Sequence, residues 1–145
     1  MTDELLDKVL EAGTFAASGM NRQSTFLVAV RDKETRDLLS RINGEVIGRE
    51  GDPFYGAPCV VVVLASPDPT YLEDGSLVMG NLMNAAHALG LGSCWIHRAK
   101  QTFELPVGKE LLAKWIPEKY TEDEEIYRPF RLRNRPDHPI QGWCS

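Results

Sequence analysis

Apolar residues recur along the chain in a changing rhythm. From Asp3, Leu5, Leu6, Val9 and Leu10 form one stripe at helical spacing, with Thr2 or Asp3 as the cap and Gly13 as the stop. Ser24 to Val30 alternates loosely and is rich in β-formers, which predicts a strand. Lys33 to Ile42 returns to helical spacing with Leu38, Leu39 and Ile42 inward. A loop punctuated by Gly and Pro follows from Asn43 to Pro58, and then Cys59-Val60-Val61-Val62-Val63-Leu64-Ala65 is apolar on both faces. That run reads as a central strand covered on each side by helices.

Asp74 can cap a third helix that reaches about Leu89, where Gly90-Leu91-Gly92 ends it. The many Ala and Gly residues on this helix imply close approach to another backbone, a second subunit being one source. Ser93 to His97 reads as a third strand and Val107 to Trp115 as a fourth helix, stopped by Pro117. After Pro117 the periodicity is lost. Thr121 to Glu125 is an acidic run, and Tyr127 to Ser145 is dense in Arg and Pro, so 118–145 is expected to be an atypical arm or tail on a core of residues 1–117.

Composition narrows the class. A chain of 145 residues, 43% hydrophobic, buries one core and is most simply one domain. The Cys59–Ala65 run is too short to cross a membrane, and no basic-then-apolar leader precedes it, so the expected location is the cytoplasm with no membrane partner. Cys59, Cys94 and Cys144 are an odd set at unrelated spacings, which fits a reducing compartment. A formal charge of −5 argues against nucleic acid as a partner.

The candidate chemistry is concentrated in Ser18-Gly19-Met20-Asn21-Arg22-Gln23, between the first helix and the first strand. A plain turn needs only Gly, Asn or Ser. Hydroxyl, carboxamide and guanidinium groups packed together at the mouth of a buried strand point to a ligand or a partner chain, although a turn capped by Asn21 and Gln23 accounts for the same residues. Gly90-Leu91-Gly92 follows a helix instead of opening one, so it is a helix cap and not a dinucleotide fingerprint. His87, Cys94 and His97 lack a fourth ligand, and no metal is expected there. On a strand Cys94 and His97 would point to opposite faces, which leaves Cys94 as a small buried filler. Arg128, Arg131, Arg133 and Arg135 read as solvated charge, or as a phosphate grip.

Three ordered segments, AGTFAASGMNRQ before a strand, DPFYGAPCVVVVLAS, and DGSLVMGNLMNAAHALGLGSCWIHRA, resemble the FMN-dependent nitroreductase family in its compact branch, over roughly residues 4 to 116. The resemblance implies an α+β fold, a three-layer α/β/α arrangement with a mixed central sheet, in an interlocked homodimer. It implies two FMN sites at the dimer interface and ping-pong hydride transfer from NADH or NADPH, through the flavin, to a nitroaromatic, quinone or similar small acceptor. By the same likeness Ser18, Asn21 and Gln23 touch the flavin ring, with Arg22 in the same motif, while Cys94, Trp95 and Ile96 lie along the isoalloxazine and His97 stands near it. No catalytic side chain is expected, because the flavin carries the hydride chemistry and the protein binds and tunes it.

Two departures accompany the resemblance. The Arg-Arg-Ser-x-Arg-like motif that grips the FMN phosphate in family members does not occur, and the usual C-terminal strand is replaced by the acidic run and the Arg/Pro tail. These lead to the expectation of a reading frame that starts late and shifts after about Tyr127. The alternative function is a truncated, non-catalytic dimer with weak or no FMN binding.

Overall fold

The computed structural model describes residues 1–48, 50–67 and 69–116. The expected boundary at 117/118, the acidic run, the Arg/Pro tail and Cys144 lie outside the described residues. The elements in chain order are α1 (Asp3–Thr14), β1 (Thr25–Val30), α2 (Lys33–Ile47), β2 (Val60–Ala65), α3 (Tyr71–Ala88), α4 (Ala99–Glu104) and α5 (Pro106–Trp115), with a short 3₁₀ turn at Gly19–Asn21.

β1 and β2 pair antiparallel in register from Thr25 opposite Ala65 to Val30 opposite Val60. β2 is covered on both faces, as its unbroken apolar run requires. Val60, Val62 and Leu64 join one cluster with Val30, Leu39, Ile42, Phe54, Phe103 and Leu111. Val61 and Val63 pack with Val9, Val78, Leu82 and Ala86 in a second cluster under α1 and α3. Alternate residues of one strand therefore serve two cores, which gives the sheet a helical layer on each side.

Local chemistry explains several element ends. Thr2 accepts from the Leu5 amide at the start of α1, and Asp32 accepts from the Thr35 amide at the start of α2. Gly48, at φ 61°, closes α2 in the left-handed conformation that glycine adopts without strain.

Several boundaries differ from the sequence reading. Gly13 does not stop α1, which continues to Thr14. Its missing side chain lets α1 lie against α3, since a Cβ there would stand 2.8 Å from Leu82 Cδ2. Asn81 of α3 then donates to the Ala12 carbonyl at 3.1 Å, adding a second donor to an oxygen that the Phe15 amide already meets at the end of α1. α2 runs on past Ile42 to Ile47 because Asn43 and Gly44 are buried on its inner face. α3 begins at Tyr71, ahead of Asp74, with Thr70 at its cap position. The short α4 carries no sequence signal strong enough to separate it from the loop before α5.

The largest correction concerns Ser93–His97. Residues 91–98 belong to no strand or helix, and the sheet among the described residues is β1 and β2 alone. β-Propensity measures fit to a half-buried pleated surface beside a pairing partner, and this segment has none among the described residues. Cys94 is exposed, not a buried filler.

Candidate functional site

The polar segment after α1 is held by a compact set of bonds. Ser18 Oγ accepts from the Gln23 amide at 2.9 Å, closing a loop of six residues. The Ser18 and Gly19 carbonyls accept from the Asn21 and Arg22 amides at 3.0 and 3.1 Å, which forms the 3₁₀ turn. Gln23 Nε2 donates to Asn21 Oδ1 at 3.0 Å, and an Arg22 guanidinium nitrogen lies 3.5 Å from the Met20 sulfur. Met20, Asn21 and Gln23 have φ values of 51°, 54° and 53°. Three non-glycine residues in left-handed backbone within four positions is an uncommon concentration of strain, of the kind that collects at functional sites.

The loop is anchored from α3. Gly19 donates its amide to Asp74 Oδ1 at 2.9 Å, and Thr70 donates its hydroxyl to Asp74 Oδ2 at 3.1 Å. Asn21 and Arg22 are exposed, and Ser18 and Gln23 are partly buried. Met20 is the most exposed large apolar side chain of the set, at 87%.

The second group of expected site residues lies beyond the other end of α3. Cys94 and Trp95 are exposed, with the Trp95 ring 6.2 Å from that of His97 and tilted to it by 56°, whereas Ile96 packs against the first core cluster. Cys94, Trp95, Ile96 and His97 border an apolar cleft of about 520 Å³ between β2 and the apolar side of α3. Asn43 also borders it, donating to Thr102 Oγ1 at 3.0 Å while its own Oδ1 is buried and unpartnered.

No residue of 18–23 lines this cleft. Within one chain the structure therefore gathers Ser18, Asn21, Arg22 and Gln23 at one place and Cys94, Trp95 and Ile96 at another, and does not join them. Sequence reasoning missed Asp74 as part of the loop. It read that residue as a helix cap, and only the fold carries it to Gly19. Among the described residues no group of three or more His, Cys, Asp or Glu side chains is disposed to hold a metal ion, and no helix is long and apolar enough to cross a membrane.

The donor set suits an aromatic heterocycle with a polar edge. Carboxamides and a guanidinium offer donors and acceptors without a nucleophile or a general base, and Trp95 with the neighbouring apolar cleft offers a flat, partly dry surface.

Comparison with known proteins supplies the context. The nitroreductase family model matches residues 1–112. A nitroreductase with bound FMN from Bacteroides fragilis NCTC 9343 is similar in structure, with a TM-score of 0.71 and 26% identity, covering 79% of this chain and 68% of that one. A nitroreductase with bound FMN from Desulfitobacterium hafniense DCB-2 has a TM-score of 0.70 and 27% identity, covering 81% and 71%. In sequence, a protein of Archaeoglobus fulgidus, provisionally named NADH dehydrogenase/NAD(P)H nitroreductase, is 28% identical across 94% of this chain and 84% of its own length.

Proposed function

The chain belongs to the nitroreductase family, and from that premise we propose that it is an FMN-dependent NAD(P)H oxidoreductase acting as a homodimer on a small oxidised acceptor, such as a nitroaromatic or a quinone. The observation that carries this reading is the strained loop at 18–23, with its exposed amide and guanidinium groups, in a chain whose structural neighbours were solved with FMN.

In this reading Asn21 and Gln23 hydrogen-bond the polar edge of the flavin, and Arg22 adds positive charge where negative charge develops on the reduced ring. Ser18 keeps the loop closed through its bond to the Gln23 amide. Trp95 and Ile96 border the ring and keep water from it, and Cys94 presents backbone groups to the ring edge. When bound, FMN supplies the hydride chemistry, which is why no acid, base or nucleophile is required of the chain.

The two groups of residues lie in separate places within one protomer, so one complete site takes the 18–23 loop from one subunit and the Cys94–Ile96 segment from the other. The exposed side of α3 suits the dimer contact this requires. Leu72 and Leu77 are 63% and 50% exposed there, and a Cβ on Gly80 would meet nothing within 4 Å.

The test is spectroscopic. Purified protein, supplied with FMN, is expected to show the yellow flavin spectrum and to bleach when NADH or NADPH is added without oxygen. Colourless protein that ignores added FMN would favour the competing reading, a dimer that binds no flavin. One observation favours that second reading: the segment 93–97 is exposed apart from Ile96 and joins no sheet among the described residues.

A further inference from the structure

Asp74 is 2% exposed, and a buried carboxylate is costly unless donors meet its oxygens. Neither of its side-chain bonds serves the interior of α3. Oδ1 accepts from the Gly19 amide, 55 residues away in the chain, and Oδ2 accepts from the Thr70 hydroxyl. Thr70 occupies the cap position of α3 but its side chain makes no capping bond to the helix backbone. Its hydroxyl is directed to Asp74.

Close packing marks the same spot. A Cβ added to Gly19 would fall 2.2 Å from Thr70 Oγ1 and 2.8 Å from its methyl group. Gly19, Thr70 and Asp74 thus form one contact, and the left-handed residues Met20, Asn21 and Gln23 follow directly from it. Such backbone persists only where its surroundings over-determine it. Inside the loop, Ser18 ties the far end to the near one; Asp74 ties the near end to the body of the protein.

We infer that Asp74 is the positioning residue of this loop: acting through the Gly19 amide and Thr70, it holds 18–23 in the shape that binds flavin. The inference rests on the flavin reading above, and it assigns Asp74 no contact with the ring. Asp74→Asn keeps an oxygen for Gly19, and the Thr70 hydroxyl can turn to accept from the new amide. Asp74→Ala removes both bonds.

The experiment compares wild type, D74N and D74A in the full chain by two readouts: FMN affinity from quenching of flavin fluorescence, and the hydrogen-exchange rate of the Gly19 amide by NMR in the absence of flavin. D74A is expected to weaken FMN binding at least tenfold and to speed Gly19 exchange at least tenfold. D74N is expected to stay within about threefold of wild type in both. Gly19→Ala, which forces the loop and its Gly19 amide away from Thr70 and Asp74 while leaving the Asp74 side chain in the sequence, gives the same loss of FMN affinity and serves if D74A does not fold.

Unchanged Gly19 exchange in D74A would overturn the anchor. Unchanged FMN affinity in both D74A and G19A, from a wild type that binds FMN, would overturn its role in flavin binding. Wild type that binds no FMN, with Gly19 exchange still faster in D74A, would defeat the flavin reading and leave the anchor standing.

Discussion

Asp52 organises the loop between α2 and β2 by accepting from several donors at once. Ser40 donates to it at 2.6 Å, the Phe54 and Gly56 amides at 3.0 and 2.7 Å, and the Arg36 guanidinium also bonds it. Arg36 then reaches the Ala57 carbonyl at 2.9 Å and lies over the Phe54 ring at 5.5 Å. Burial works against the charge on Asp52, but Arg36, Ser40 and the two amides outweigh it and hold the carboxyl well below its ordinary range. The sign of the pH dependence follows. A depressed folded-state pKa gives stability that is complete above the unfolded value of about 4 and is lost as pH falls below it. Asp52→Asn is expected to lower unfolding free energy by about 2 kcal/mol at pH 7, the scale of hydrogen bonds to a charged group. Urea unfolding at pH 7 and pH 3 should show that gap narrowing at the lower pH; a gap that widens would contradict the assignment.

At the scale of elements, α3 connects the two parts of the proposed site. Its first turn anchors the 18–23 loop, its inner face packs on α1 and β2, and its end leads into the Cys94–Ile96 segment. Its outer face carries Leu77, Gly80 and Asn84 at helical spacing, all exposed in the single chain. Gly80 is the point of closest possible approach for a second helix, since it has no side chain and open space above it. Gly80→Arg should therefore leave the chain folded, at a cost below about 0.5 kcal/mol for a surface position, and convert the proposed dimer to monomer in sedimentation velocity. A dimer that survives the substitution would move the interface elsewhere.

For the whole molecule, the proposed site divided between two subunits predicts that flavin affinity depends on protein concentration. Diluting the protein through its dimer dissociation range should release FMN in step with the dimer, because each half-site alone offers part of the contacts. Fluorescence of released flavin, followed beside the sedimentation profile, measures this directly. FMN retained by the monomer would place both halves of the site in one chain. Predominantly acidic charge over the chain, −5 in total, makes locally placed cations such as Arg22 matter more for an anionic cofactor, and added salt should loosen its binding accordingly.

Much of this was written locally. The stripes Leu5, Leu6, Val9, Leu10 and Leu38, Leu39, Ile42 and the two-sided run at β2 each act within a few residues, so their elements could be read from the chain, and the ordered motifs led to the family that the comparisons established. The polar composition of 18–23 was equally legible. What the chain could not disclose was anything that depends on distant segments meeting. Ser93–His97 has the composition of a strand, yet a strand exists only beside a hydrogen-bonded neighbour. Asp74 has the look of a helix cap, yet the fold seats it beneath a glycine from before β1. Hydrophobic spacing is a property of neighbours in sequence and determined α1, α2, α3, α5 and the two paired strands, and local polar composition marked the candidate loop. Burial and pairing are properties of neighbours in space, and these alone decided which carboxylate anchors the loop and why the loop and the Cys94–Ile96 segment stand apart in a single chain.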